Sequence, residues 1–377
     1  MKLVFIINIM SAAGAQRQLA NLMNYLSTRG WSITLLTFDD GSVPSFYKLD
    51  SSIQYIPLSI MRRQKGLFRS LVMPLLRPWI LREAIRKIKP DVIIPISDLT
   101  SILTLVSTFG LNIPVIVSEM VHPKFHVMGR FWGGLRELIY RCADFVVVQT
   151  EEGRSFFSPE IKRRSKVIPS PVLIPNDFNA KASSIFNTTT KTLIAMGRLS
   201  EQKGFDLLLN AFSRVAPDFP EWRLNIWGEG DQQAKLESMR EELGLIEKVN
   251  FPGVTSDSYG EMKKSDLFVL SSRFEGFPNV LCEAMACGLP VISFDCPSGP
   301  GSIIRDKFDG ILVPPEDVTA LAGSLKELMR DVELRKSLAS RAVEIGERFS
   351  VNNVARMWEE LFYILIKSNP GISQNSI

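Results

Sequence analysis

Two glutamates separated by seven residues, Glu275 and Glu283 in the stretch RFEGFPNVLCEAMACGLP (273–290), are the side chains of this sequence best suited by type to do chemistry. Two acids at such a spacing fit four readings: the acid and nucleophile of a hydrolase, a cation site, an anchor for a nucleotide, or a capped helix. The preceding DLFVLSS reads as a strand, and Pro278 and Gly288 bracket a helix, so Glu275 falls in the strand-to-helix loop and Glu283 on about the second turn. A glycosidase pair needs two carboxyls facing one bond across roughly 5 to 10 Å, which this placement disfavours. Leu281, Ala284, Met285 and the following PVISF imply deep packing, where an unpaired acid is costly. The two acids therefore have different jobs.

Upstream, MGRLSEQKGFDLLLNAF places Arg198 and Lys203 around a polar turn, with Gly197 and Gly204 leaving room. A guanidinium and an ammonium five residues apart at a sheet's carboxyl edge can clamp a diphosphate; a solvated turn fits the spacing equally well. IWGEGDQQ opens another strand-to-helix loop with Gly228 and Gly230. Near the start, IMSAAGAQRQL lets Gly14 bring backbone close to a ligand, but it holds no G-x-G-x-x-G, and a nicotinamide or flavin fingerprint is unsupported. No three-ligand metal motif and no D-x-D occur, so no metal and no cofactor are expected.

The elements that must hold these loops alternate along the whole chain. Strand-like runs LVFIINI, WSITLLTF, DVIIPIS, PVIVSE and FVVVQT are separated by helical periods, and the pattern resumes with TLIAMG, RLNIWG, VNFPG, DLFVLSS, PVISF and GILVPP. Such alternation means parallel sheets with helices on both faces. The expected organisation is a domain over 1–172, a linker over 173–190 where LIPNDFNAKASSIFNTTTK loses periodicity, a second domain over 191–349, and a terminal helix over 350–377. That helix carries Val354, Met357, Trp358, Leu361 and Phe362 on one face, must pack on something, and is expected to return toward the first domain, ending in a frayed tail.

With 377 residues and 45% hydrophobic content the chain is globular. Four cysteines without a C-x-x-C pair suit a reducing cytoplasm better than a disulfide framework or a zinc site. The start MKLVFIINIM resembles a leader, but Asn8 interrupts the apolar run and a helix follows directly, so a first strand is expected. The charge-free window from Leu99 to Ser118 is divided by Gly110, Asn112 and Pro114, and no transmembrane helix is expected. Residues 1–172 hold 22 Lys+Arg against 12 Asp+Glu, a net of +10, whereas the remainder nets −6. Nine of those basic residues lie between Met61 and Lys89, interleaved with apolar ones. That pattern suits either an anionic membrane surface or a core-facing helix with a solvated basic face. No nucleic-acid-binding module is present.

The stretches GAQRQL, GRLSEQKGFDLLL, WGEG, VNFPG, EGFPNVLCEAMACGLPVI and DGILVPPED together resemble the retaining glycosyltransferases of family 4 over nearly the whole chain. The resemblance implies the GT-B fold, an α/β architecture of two doubly wound Rossmann-like domains facing a cleft. It implies that Arg198, Lys203 and Glu275 act on the diphosphate and transferred sugar, and that Glu283 holds the ribose. Gly197, Gly228, Gly230 and the run Gly276, Phe277, Pro278, Asn279 and Val280 would complete the donor site, with Gly14, Arg17 and His122 on the acceptor side.

The matching bacterial branch implies transfer of a hexose or N-acetylhexosamine from a UDP-sugar to an undecaprenyl-diphosphate-linked saccharide, with the enzyme peripheral on the inner face of the cell membrane. The competing classes are a nucleotide-sugar-binding or scaffold protein that no longer transfers, and a GT-B sugar-nucleotide epimerase. The sequence departs from the family at Ala13, where a second glycine is usual, at Met120, where His or Arg is usual, and at Ser302, where Glu is common. His122 is the candidate substitute for the missing polar group at Met120; otherwise it is an exposed loop histidine.

Overall fold

The computed structural model describes residues 1–11, 14–61, 67–122, 124, 129–172 and 191–368, the side chains of 67–75, 130–131 and 368 excepted. The residues read as a linker, 173–190, and the tail from 369 lie outside the described residues. The chain forms two compact units, Met1–Pro171 with Val351–Ile377, and Val172–Ser350.

In the first unit β1 (Lys2–Ile7), β2 (Ser32–Thr37), β3 (Gln54–Pro57) and β4 (Val92–Pro95) form a parallel sheet in the order β3-β2-β1-β4. Next to it lie β5 (Ile116–Ser118), β6 (Phe145–Val148) and β7 (Ser165–Val167), also parallel. Parallel bridges from Ile93 to Val115 and from Ile96 to Ser118 join the two. Strand residues alternate between two apolar layers, with Leu3, Phe5 and Ile7 in one and Val4 and Ile6 in the other, as a sheet covered on both faces requires. The first layer is closed by the helices Gly14–Thr28 and Val351–Ser368. The latter inserts Val354, Trp358, Leu361 and Phe362, each large side chain there contributing about 1.5–3 kcal/mol of burial. Trp31 fixes the register between them, its Nε1 donating to Glu359 at 3.0 Å while its ring meets Phe362 edge-on. The edge strands β3 and β7 carry no apolar run, being half exposed, and so gave no strand signal in the sequence.

The second unit holds β8 (Lys191–Met196), β9 (Trp222–Trp227), β10 (Val249–Gly253), β11 (Leu267–Leu270), β12 (Val291–Phe294) and β13 (Ile311–Val313), all parallel, in the order β10-β9-β8-β11-β12-β13. Again the strands feed two layers: Leu193 and Ala195 pack with Phe212 and Leu325, and Ile194 and Met196 pack with Leu281 and Met285. Strand order reverses between β8 and β11, and in open parallel sheets that reversal opens a crevice at the carboxyl ends where ligands bind. The loops after β8 and β11 carry Arg198, Lys203 and Glu275. Among the described residues no helix is long and apolar enough to cross a membrane.

Candidate functional site

The loop after β8 is held by its neighbours' backbones. Gly197 N–H donates to Trp227 C=O and Leu199 N–H to Glu229 C=O, both at 2.9 Å. Gly228, at φ +138°, leaves no space for a side chain, since a Cβ would stand 1.9 Å from the Gly197 carbonyl oxygen. A Cβ on Gly230 would lie 2.2 Å from that of Leu199. These two glycines, assigned from the sequence to the donor, are thus required by loop-on-loop packing that shapes the turn bearing Arg198.

Within that turn Glu201–Lys203 makes one 3-10 turn ended by Gly204 in the left-handed conformation, and the Lys203 stem lies over the bare Cα of Gly197. Its ammonium reaches across to the loop after β11, where Nζ meets Glu275 Oε1 at 2.6 Å. The Ser272 hydroxyl donates to the same oxygen at 2.6 Å, and the Glu275 side chain is only 7% exposed. The buried carboxyl group thus has both a cation and a hydroxyl donor as partners. Arg198 is exposed on the same turn and has no ion-pair partner among the described residues.

After Glu275 the chain runs into the helix Asn279–Ala286. Among the described residues the N–H groups of Gly276, Phe277, Asn279 and Val280 donate to no other backbone group, as a helix start without a side-chain cap leaves them. Phe277 anchors the turn edge-on against Phe349, and Ser298 Oγ donates to Gly276 C=O at 3.1 Å. Four residues into that helix, Glu283 is 1% exposed among Leu281, Cys282, Ala284 and Met285. Burial, reinforced by the Glu283 charge, pushes the Cys287 thiol up to about 12; burial with the Glu275 charge does the same at Cys296. The structure therefore brings Gly197, Lys203 and Glu275 into one group, sets Arg198 on the first loop of that group, and places Glu283 inside the helix that follows the second. A cationic pair, a helix start and a hydroxyl-binding acid on adjoining loops can receive a diphosphate carrying a sugar and a nucleoside.

The chain's relatives place it in a family. A family model described as glycosyl transferases group 1 matches residues 176–344, and one described as a glycosyl transferase 4-like domain matches residues 13–169. The chain is a GT-B glycosyltransferase of the family 4 type. It is 33% identical over 76% of its length to an exopolysaccharide phosphotransferase of Streptomyces coelicolor, but spans only 30% of that protein. It is 28% identical to the Campylobacter jejuni GalNAc-alpha-(1->4)-GalNAc-alpha-(1->3)-diNAcBac-PP-undecaprenol alpha-1,4-N-acetyl-D-galactosaminyltransferase, covering 96% of this chain and 98% of that one. In fold it matches HepE of Anabaena, solved with UDP and glucose, at a TM-score of 0.77 and 19% identity over 96% of this chain and 99% of that one.

In the first unit of the glycosyltransferase, Gly14 opens the helix after β1 and Arg17 sits half-buried on its first turn, while Ala13 lies outside the described residues. His122, which follows β5, is 5% exposed rather than the exposed loop histidine its sequence context suggests. Its Nδ1 accepts the Lys124 N–H at 3.2 Å, its ring meets Phe156 edge-on, and burial holds its pKa below the usual histidine value. Beside it in sequence, Glu119 accepts a short hydrogen bond from the fully buried Tyr140 hydroxyl, whose pKa burial and the Glu119 charge drive well above the usual tyrosine range.

Sequence reasoning missed this pair, and it also missed Ser272 and Arg273, which lie three and two residues before Glu275. Charged and hydroxyl residues closing an apolar strand were a readable signal at 272 and 273; their partners, far away in sequence, were not. Among the described residues no three His, Cys, Asp or Glu side chains gather as metal ligands would.

Proposed function

We propose that this glycosyltransferase moves a hexose or N-acetylhexosamine from a UDP-sugar to a saccharide carried on undecaprenyl diphosphate, with retention at the anomeric carbon and without a metal. The observation that carries the reading is the Lys203–Glu275 pair at the strand-order reversal, 2.6 Å apart, with Arg198 exposed on the same turn. Here the UDP-sugar is a substrate and no cofactor takes part. HepE's structure with UDP and glucose supports the donor class, and the undecaprenol acceptor in the Campylobacter enzyme's name supports the acceptor class.

In this reading Glu283 accepts hydrogen bonds from the ribose hydroxyls, and Glu275 does so from hydroxyls of the transferred ring. As the bond from the anomeric carbon to the β-phosphate oxygen breaks, its electron pair goes to that oxygen. Arg198, Lys203 and the N–H groups from Gly276 to Val280 meet the growing charge. The acceptor hydroxyl attacks from the same face, passing its proton to the departing phosphate, so no protein carboxylate need act as nucleophile. Gly14, Arg17 and His122 serve the acceptor, and the basic first domain rests on the anionic inner face of the cell membrane.

Kinetics of two variants test the reading. Lys203→Ala is expected to lower kcat about 10²–10³-fold, the usual effect of removing one transition-state charge donor. Glu283→Ala is expected to raise the donor KM about tenfold or more with a smaller change in kcat. Normal turnover by both variants with the true donor would sink the assignment, and binding of UDP-sugars with neither transfer nor donor hydrolysis would favour a protein that only binds.

A further inference from the structure

Lys203 and Glu275 lie 72 residues apart in the chain, on two loops, and grip each other directly. If Lys203 turns to a diphosphate and Glu275 to a sugar, that ion pair is given up when it is most needed to keep the two loops in register. Something else must hold them.

Arg273 supplies that hold. It sits two residues before Glu275, and its guanidinium forks onto Asp206, with Nη1 at 2.9 Å from one oxygen and Nη2 at 2.7 Å from the other. Nη1 also donates to Glu201 C=O at 2.7 Å, and Nε meets the more exposed Glu316 at 3.0 Å. Asp206 lies in the first turn of the helix Phe205–Val215, immediately after the turn that carries Lys203. Three bonds onto backbone carbonyls run alongside: Arg273 N–H to Gln202 C=O at 2.8 Å, the Gln202 side-chain Nε2 to Phe274 C=O at 3.0 Å, and Ser271 Oγ to Lys203 C=O at 2.9 Å. None of these bonds uses the Lys203 ammonium or the Glu275 carboxylate, so a ligand can engage those two groups without competing for any of them. A bidentate guanidinium fixes angle as well as distance, which a lysine at 273 could not do.

We infer that Arg273 is a positioning residue of the transfer reaction: through Asp206 and Gln202 it locks the loop after β8 to the loop after β11, setting Lys203 against Glu275 once the donor is bound. The inference rests on the proposed roles of those two residues. A misplacement of about 1 Å in such a pair can cost on the order of 10²-fold in rate, whereas the nucleoside half of the donor does not depend on the clamp.

The test uses the full chain and whichever of UDP-glucose, UDP-galactose, UDP-N-acetylglucosamine and UDP-N-acetylgalactosamine the wild type turns over fastest, read as UDP release. Arg273→Lys is expected to lower kcat about 10- to 100-fold while the Kd for UDP stays within about threefold. Added to Lys203→Ala it should cost less than about a further twofold, because it acts through Lys203. A folded Arg273→Lys enzyme with wild-type kcat, or losses that multiply in the double variant, would overturn the inference. Should Arg273→Lys fail to fold, Asp206→Asn, which keeps the shape and removes the charge, carries the same expectations. The two readings fail separately: wild-type turnover by both Lys203→Ala and Glu283→Ala removes the proposed function, whereas a crippled Lys203→Ala beside an unimpaired Arg273→Lys removes only the clamp.

Discussion

The two units share a parallel sheet with helices on both faces, yet they build the carboxyl edge of that sheet differently. In the second unit the edge is backbone against backbone: Cβ atoms on Gly204, Gly228 and Gly230 would each stand within 2.2 Å of another loop's carbonyl oxygen. In the first, Gly41 in the loop after β2 would set a Cβ 2.6 Å from the Pro57 side chain, not from a carbonyl, and Gly30 and Gly110, at the amino edge of the sheet, have positive φ but nothing within 4 Å of a Cβ, so they serve only to turn the chain. The first unit's edge has backbone bonds too, such as Ser97 N–H to Ser118 C=O at 2.9 Å and Phe38 N–H to Asn8 C=O at 3.0 Å, but adds side-chain bonds between its loops: Tyr140 on Glu119, Thr100 on Asn8 at 3.1 Å and Gln149 on Ser170 at 2.6 Å. Loops packed through main chain are stiff and leave their charged side chains for a ligand. An edge made of side-chain bonds can change with each substitution, which suits the half of a transferase that must recognise its own acceptor.

The sharpest way to break that contrast is to add one carbon to each kind of glycine. Gly228→Ala meets both a forbidden φ and a carbonyl oxygen, and is expected to cost about 3 kcal/mol or more, some 6–12 °C in the unfolding temperature of a unit this size. Gly30→Ala meets only the turn conformation and should cost about 1 kcal/mol. Calorimetry giving equal losses for the two would mean that the second unit's loops are not held by close packing.

A second contrast is charge, +10 over residues 1–172 against −6 over the rest. In the described part of the helix Leu67–Ile88 and its end, Arg86, Lys87 and Lys89 are exposed beside exposed Leu76 and Trp79, whereas Arg82 is spent on the Ser107 and Phe109 carbonyls at 2.8 Å each. If this face rests on a membrane, flotation with vesicles containing phosphatidylglycerol should exceed that with phosphatidylcholine alone. Replacing Lys87 and Lys89 by Ala should then weaken binding roughly tenfold to thirtyfold, at about 1 kcal/mol per basic residue. Equal flotation with both vesicle types would leave the asymmetry a matter of solubility. The basic residues at 62, 63 and 65 in this segment lie outside the described residues.

How much of this was legible in the sequence follows from range. The strands buried on both faces, such as β8 and β11, announced themselves as apolar runs, and the position of Glu275 before a helix and Glu283 inside it could be read from Pro278 and Gly288. The half-exposed edge strands β3 and β7 could not be read, because their side chains meet neither a core nor a repeating pattern. At the site, Lys203 and Glu275 were legible one by one, but their contact was not, since local spacing is silent about a partner 72 residues away. Gly228 and Gly230 were visible as glycines, while their reason, a neighbouring loop's carbonyls, appears only in three dimensions.

The smallest expected effect separates the two edges by their chemistry with protons. Burial lowers the His122 pKa, with Glu152 opposing and Lys124 adding to the shift, whereas the hydrogen bonds to Asp206 raise that of Arg273 in the second unit above an already high value. The sign follows from linkage. Between the lowered folded value and the unfolded value near 6.5 the unfolded chain binds the extra proton, so stability rises with pH through that window and is lost as pH falls through it. The unfolding temperature should therefore decline between pH 7.5 and 5.5 more steeply for the wild type than for His122→Gln, which keeps an acceptor for the Lys124 N–H but has nothing to titrate. The two curves should run parallel above about pH 7.5, where both states of the histidine are neutral. Curves parallel over the whole range would mean that His122 is solvated in solution and contributes no titratable contact to the first unit's edge.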